Sequence, residues 1–172
     1  MAAQCKVIAI EPARETFKTL MDNVFLNPGL DIHPVNCCAS SRDSLLQLSS
    51  EGDGRSAWTR VHTDEDEAGK PYIPGLTLNL ILECLQAPNV RLLKIDVEGY
   101  ELEVFRGLEW NGVRRPELVL MECSPNEHAK RQFLLDRGYS CETVDGRKVE
   151  EADEYPEGNL LFRDITNRAP EV

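Results

Sequence analysis

A chain of 172 residues, 41% apolar and 28% charged, is long enough for one domain with a real core. Its formal charge of -11 repels phosphate backbones, and Arg114-Arg115 and Lys130-Arg131 are isolated pairs, so nucleic acid is excluded as a partner. No apolar run nears the roughly 20 residues of a membrane span. The opening MAAQCKVIAIEP lacks the length and flanks of a secretory signal, so a cytoplasmic location is expected.

KVIAIEP (Lys6 to Pro12) is a short β-branched run closed by an acid, Glu11. A helix follows, with Phe17, Leu20, Met21 and Val24 on one face, and Asn27-Pro28-Gly29 stops it. Ile32 to Ser40 reads as a second strand, with Pro34 marking an edge or a start. Residues 49–75 lose periodicity around Asp64-Glu65-Asp66-Glu67, an irregular acidic surface excursion carrying a short hairpin near Trp58 to His62. Thr77 caps a helix to Leu85.

Val90 to Val97 reads as a buried strand, and Tyr100 to Leu108 as a helix presenting Leu102, Phe105 and Leu108. Glu117 to Ser124 is another buried strand. Ser124-Pro125-Asn126-Glu127 is a capping box opening a helix that Gly138 ends. Tyr139 to Val144 and Asn159 to Asp164 finish the chain as antiparallel strands. Strands alternating with helices predict a single α/β domain over residues 1–165 with a mostly parallel sheet, and a tail over 166–172.

In such sheets ligands bind beyond the carboxyl ends of the strands, where Glu11, Asp96 and Glu122 stand. Glu11 closes a strand before a helix, a position that suits ribose hydroxyls and equally suits a helix N-terminus. Asp96 and Glu98 bracket a turn that Gly99 permits. Two such acids can share a divalent cation, or one can orient a ligand amine while the other caps the helix. Lys94, if buried, needs an acidic partner. The six cysteines show no CxxC spacing, and those in apolar runs read as reduced core thiols. No metal site is assigned. His33, His62 and His128 are scattered and paired with no visible nucleophile.

KVIAIEP, NCCAS, LTLNLILE, LLKIDVEGYELEVFRG and RPELVLMEC, in unbroken order from about Lys6 to Gly146, together resemble the FkbM-type methyltransferases. The resemblance implies a Rossmann-like class I fold, S-adenosylmethionine as cofactor, and O-methylation of a hydroxyl on a small molecule or glycan. It implies that Glu11 holds the cofactor ribose and that Asn36 and Cys38 lie near the adenine. Asp96 would then form the floor of the site, with Glu98 and Glu122 on its rim, and Asp96 or Glu98 would assist deprotonation of the acceptor. Two departures stand out. Asn79 replaces the family's acid, and the usual first strand with its Gly-rich turn is absent. Gly52 and Gly54, in the acidic loop, are a poor substitute. The expectation is therefore an incomplete or degenerate member of the family, with exposed sheet edges that favour self-association. The alternatives are a non-catalytic module that keeps the fold, and a cation-dependent transferase using Asp96 and Glu98.

Overall fold

Val7–Ile10 (β1) and Ile32–Val35 (β2) pair in parallel, Val7 opposite Ile32 and Ile10 opposite Val35, across the helix Arg14–Leu26 (α1). The structure is a computed structural model and describes residues 5–51, 58–62, 71–149 and 156–166. The expected acidic run Asp64 to Glu67, the Gly52 and Gly54 pair and residues 167–172 of the expected tail lie outside the described residues. The chain divides into two compact units, Met1–Leu78 and Asn79–Val172.

In the first unit, no side chain caps α1 from its N-cap residue Ala13; the Glu11 carboxylate instead accepts the Ala13 N–H at 2.6 Å. Asn27 ends the helix, and Pro28 has no N–H with which to prolong it. The predicted face is real: Phe17, Leu20 and Val24 are half-buried. It is thinly covered, however, because Met21, Phe25 and Leu26 are exposed and no residue of α1 is fully buried.

The expected strand Ile32 to Ser40 is two strands. Asn36 and Cys37 interrupt it, and Cys38–Ala39 (β3) joins a separate sheet. That sheet has Ser44–Glu51 (β4), Trp58–His62 (β5) and Tyr72–Leu76 (β6) in the order β3-β6-β4-β5. The hairpin near Trp58 is present, pairing Leu48 with Val61. The stretch read as irregular contributes strands on both sides of it. Ile73 and Gly75 alternate inward along β6, the period-2 pattern of a half-buried strand. Cys37, Cys38, Ala39, Ser40 and Leu46 are buried with them.

The short helix Leu78–Cys84 (α2) runs across the boundary in sequence. The second unit is one sheet of Leu92–Ile95 (β7), Leu118–Cys123 (β8), Tyr139–Thr143 (β9) and Gly158–Asp164 (β10), ordered β7-β8-β10-β9. β7 and β8 are parallel; β10 runs antiparallel to both β8 and β9, as expected of the last two strands. Glu101–Arg106 (α3) and His128–Leu135 (α4) supply Phe105 and Leu134, buried together with Val119, Met121, Leu160 and Phe162. Phe105 stacks on Phe133 at 5.3 Å and meets Trp110 edge-on at 5.5 Å. Gly138, at φ +76, ends the α4 segment as its sequence predicted.

A clamp closes the end of this sheet where β8 begins and β10 finishes. Arg115 donates from Nε and Nη2 to the two oxygens of Asp164, both at 2.9 Å, and its guanidinium lies 4.6 Å from the Tyr139 ring centroid. Burial pushes the Asp164 carboxyl up, but hydrogen bonds from Arg115 and Thr166 outweigh it and hold the group below the usual carboxylate range.

The overall class is mixed α/β. Of the seven strand pairings among the described residues, β1–β2, β3–β6 and β7–β8 are parallel and the other four antiparallel, distributed over three sheets. The single mostly parallel sheet that alternation suggested is not what these pairings form. The excursion after β3 brings its own antiparallel strands, for which strand–helix alternation gives no signal.

Candidate functional site

Glu11, Asn36 and Cys38 fall in the first unit, Asp96 and Glu98 in the second. Glu11 and Asn36 are brought together. Asn36 follows β2 and donates from Nδ2 to the Glu11 carbonyl at 2.8 Å and to the Pro12 carbonyl at 3.3 Å. The Glu11 N–H in turn donates to the Val35 carbonyl, so the loop ends after β1 and β2 are tied to each other. One Glu11 oxygen is engaged by the Ala13 N–H, the helix-terminus role that its position allowed.

Asn36 also lines a cleft of about 530 Å³ with Arg14, Glu15, Phe17 and Lys18. Neither Glu11 nor Cys38 lines that cleft. Cys38 is 5% exposed, its Sγ lies 3.5 Å from the Ala39 carbonyl, and burial followed by the neighbouring Cys37 thiol pushes it up to about 12. It is a protonated core thiol. That burial matches the reduced core thiol read for Cys38 from its apolar run; its nearness to the adenine rests on the resemblance alone. Cys37, Cys123 and Cys141 are likewise buried and pushed up, to about 11, 12 and 11.

In the second unit Asp96 stands one residue beyond β7, exposed, with its Oδ2 3.5 Å from Lys94 Nζ. Lys94 has the acidic partner anticipated for it, but the pair is 60% and 51% exposed rather than buried, and is worth about 0–1 kcal/mol. The strand itself is less buried than its apolar run suggested: Ile95 is buried while Leu92 is exposed. Among the described residues β7 is an edge strand, paired with β8.

The turn after Asp96 is sharply bent. Glu98 has φ +52 and Gly99 φ +92, so a non-glycine residue sits in the left-handed region beside a glycine that enters it at little cost. The Tyr100 N–H closes the turn onto the Val97 carbonyl, and α3 starts at Glu101. Such backbone conformations persist where the surroundings over-determine them, and they are enriched at binding sites. Glu122, near the carboxyl end of the adjacent strand β8, is exposed opposite Asn159.

Two features escaped the sequence. Lys130 and Glu101 are buried, with Glu127 beside them at the start of α4, and nothing local marks residues separated by nearly thirty positions as neighbours. The Arg115–Asp164 clamp is equally remote in sequence. Asn79, by contrast, explains itself: its Oδ1 accepts the Glu109 N–H at 3.0 Å, which an amide oxygen does as readily as a carboxylate.

Among the described residues no group of three or more His, Cys, Asp or Glu is placed to hold a metal ion, and no helix is long and apolar enough to cross a membrane. In this mixed α/β architecture the acids stand beyond parallel strand ends, where ligands bind in such sheets. A family model described as the methyltransferase FkbM domain matches residues 1–141, and the chain belongs to that family. It is 27% identical over 121 residues to the hexuronic acid methyltransferase AglP of Haloferax volcanii, an overlap covering 70% of this chain and 48% of that protein. The chain thus spans about half the length of the curated relative it matches. No solved structure matches it.

Proposed function

We propose that this chain is the methyltransferase-like domain of an S-adenosylmethionine-dependent enzyme that methylates a hydroxyl oxygen on a glycan or small molecule. The observation that carries the reading is the acidic rim of the second unit: Asp96 beyond β7, Glu98 in the strained turn, and Glu122 near the end of β8. Membership of the FkbM family and the likeness to a protein named as a hexuronic acid methyltransferase support it. The family match crosses the boundary between the two units, which favours reading both as parts of one domain. The parallel pairs β1–β2 and β7–β8, and the antiparallel β9 and β10, are compatible with the Rossmann-like class I arrangement.

The residues present fit the cofactor in part. Glu11, half-buried at the end of a parallel strand, is suited to accept ribose hydroxyls with the carboxylate oxygen that does not cap α1. Asn36 fixes that loop, and Cys38, on the strand that follows, is buried in the core. When bound, S-adenosylmethionine supplies an electrophilic methyl on a positively charged sulfur, and an acidic rim complements that charge. The chain's own contribution is to align the acceptor oxygen and to take its proton, a task for which Asp96 and Glu98 are the exposed candidates.

The acidic rim would repel a free hexuronate, so a neutral sugar hydroxyl is the better electrostatic match. Assays with labelled S-adenosylmethionine should therefore offer neutral and uronic-acid glycans side by side. Asp96→Ala is expected to lower kcat on the order of 10²- to 10⁴-fold, the usual worth of a general base. Full methyl transfer by that variant would remove Asp96 from catalysis, as would an acceptor oxygen that is already a carboxylate and needs no base.

A second reading has its own support. One Glu11 oxygen is already committed to capping α1, which leaves less of that carboxylate for a ribose and suits a non-catalytic module that keeps the fold. Calorimetric titration separates the two. Saturable binding of S-adenosylmethionine by the 172-residue chain eliminates the inert module; its absence eliminates the enzyme reading for this chain.

A further inference from the structure

Behind the acidic rim lies a group of ionisable side chains that the proposed chemistry does not use. Lys130, in the first turn of α4, is 6% exposed. Its Nζ lies 2.8 Å from Glu127 Oε2 and 3.6 Å from Glu101 Oε1, and the Glu101 side chain is as buried as the lysine's. Each carboxylate also faces a loop amide. Glu127 Oε2 accepts the Ser124 N–H at 2.9 Å, and Glu101 Oε1 accepts the Gly99 N–H at 3.4 Å. The Ser124 loop follows β8, and the Gly99 turn follows β7, its parallel neighbour.

We infer that Lys130 is a positioning residue whose buried ammonium, through Glu101 and Glu127, fixes the turn beyond β7 that carries Asp96 and Glu98 and the loop beyond β8 that follows Glu122. A buried ion pair adds little net stability compared with apolar packing of the same volume. What this one adds is a defined place for two carboxylates, and through them for two backbone amides. The geometry of the Gly99 turn needs such a restraint, because Glu98 is held at φ +52. The charged groups facing Lys130 are Glu101 from α3 and Glu127 from its own helix, with the Cys123 thiol nearby at the end of β8. The functional weight of this restraint rests on the proposed role of the rim; the restraint itself does not.

Hydrogen exchange on the 172-residue chain without cofactor or acceptor tests it, so failure here is separable from failure of the methyltransferase reading. In Lys130→Met the amides of Gly99 and Ser124 should exchange roughly tenfold faster, while those of Val119, Met121 and Phe162 stay protected. Lys130→Arg, which keeps the charge, should return both loop amides most of the way to the native rate. Glu101→Gln should loosen only the Gly99 turn, and Glu127→Gln only the Ser124 loop; these two variants carry the test if Lys130→Met does not fold. Unchanged rates at both loop amides, acceleration spread equally through β8 and β10, or an arginine variant no better than methionine would each overturn the inference.

Discussion

The helix α1 and the helices α3 and α4 pack onto their sheets with opposite thoroughness. Phe25 of α1 is 84% exposed and nothing on that helix is fully buried, whereas Phe105 of α3 and Leu134 of α4 are inaccessible to solvent. Both regions carry apolar side chains at helical spacing, so the contrast is not one of composition. It lies in what the chain supplies to cover them. In the second unit a four-stranded sheet receives aromatic side chains from α3, α4 and the loop bearing Trp110. The β1–β2 pair offers α1 only two short strands. An amphipathic pattern specifies which face turns inward, and burial energy follows only when the surface opposite is large enough.

Breaking the better-packed region should have the larger effects. Arg115→Ala leaves Asp164 buried and without its bidentate partner, and should cost about 3–5 kcal/mol in urea unfolding of the second unit. Phe105→Ala should cost about 3–5 kcal/mol in the same measurement. The matched change Phe25→Ala should stay within about 0.5 kcal/mol. Equal losses at the two phenylalanines would abolish the contrast between the regions.

Acid should act through the second unit as well. Asp164 and Glu127 are both held below the usual carboxylate range, each by hydrogen bonds that outweigh the opposing effect of burial. A carboxyl depressed in the folded state contributes stability that is complete above its unfolded pKa and is lost as pH falls through the folded one. The urea midpoint should hold steady near neutrality and decline below about pH 4, and Asp164→Asn should flatten part of that decline. Smaller still, Gly99→Ala meets no atom within 4 Å but must adopt φ +92, so about 1 kcal/mol is expected from conformation alone. Lys94→Ala, at an exposed pair, should change stability by less than about 1 kcal/mol.

Local chemistry made much of this readable in advance. Asn27-Pro28 ends α1 where it should, and half of the Ser124 to Glu127 box forms: the glutamate accepts the Ser124 N–H, but the N-cap of α4 is Glu127 and it carries no side-chain cap. The helix that box announces starts later than proline at its first position implies, at His128. Apolar runs located β7 and β8, but run length does not reveal whether a strand has one neighbour or two, so Leu92 was expected inside and is outside. The break between β2 and β3 has one local signal, the turn-favouring Asn36, which reading Ile32 to Ser40 as a single strand passes over. At the candidate site, the acids at strand ends were legible from position. The core-thiol reading of Cys38 followed from its apolar run, and the residue is buried as that run implies. The contacts of Lys130 with Glu101 and of Arg115 with Asp164 join residues far apart along the chain, and only the completed fold brings them together.

The position of β10 has a further consequence, for the order of events as the chain is made. It is the last strand in sequence yet lies between β8 and β9, so those two strands have no direct pairing with each other. Until Gly158–Asp164 has emerged, β9 lacks its partner strand and β8 has one open edge. During synthesis the sheet of the second unit therefore stays unfinished until Gly158–Asp164 has emerged, and its closure waits on that strand.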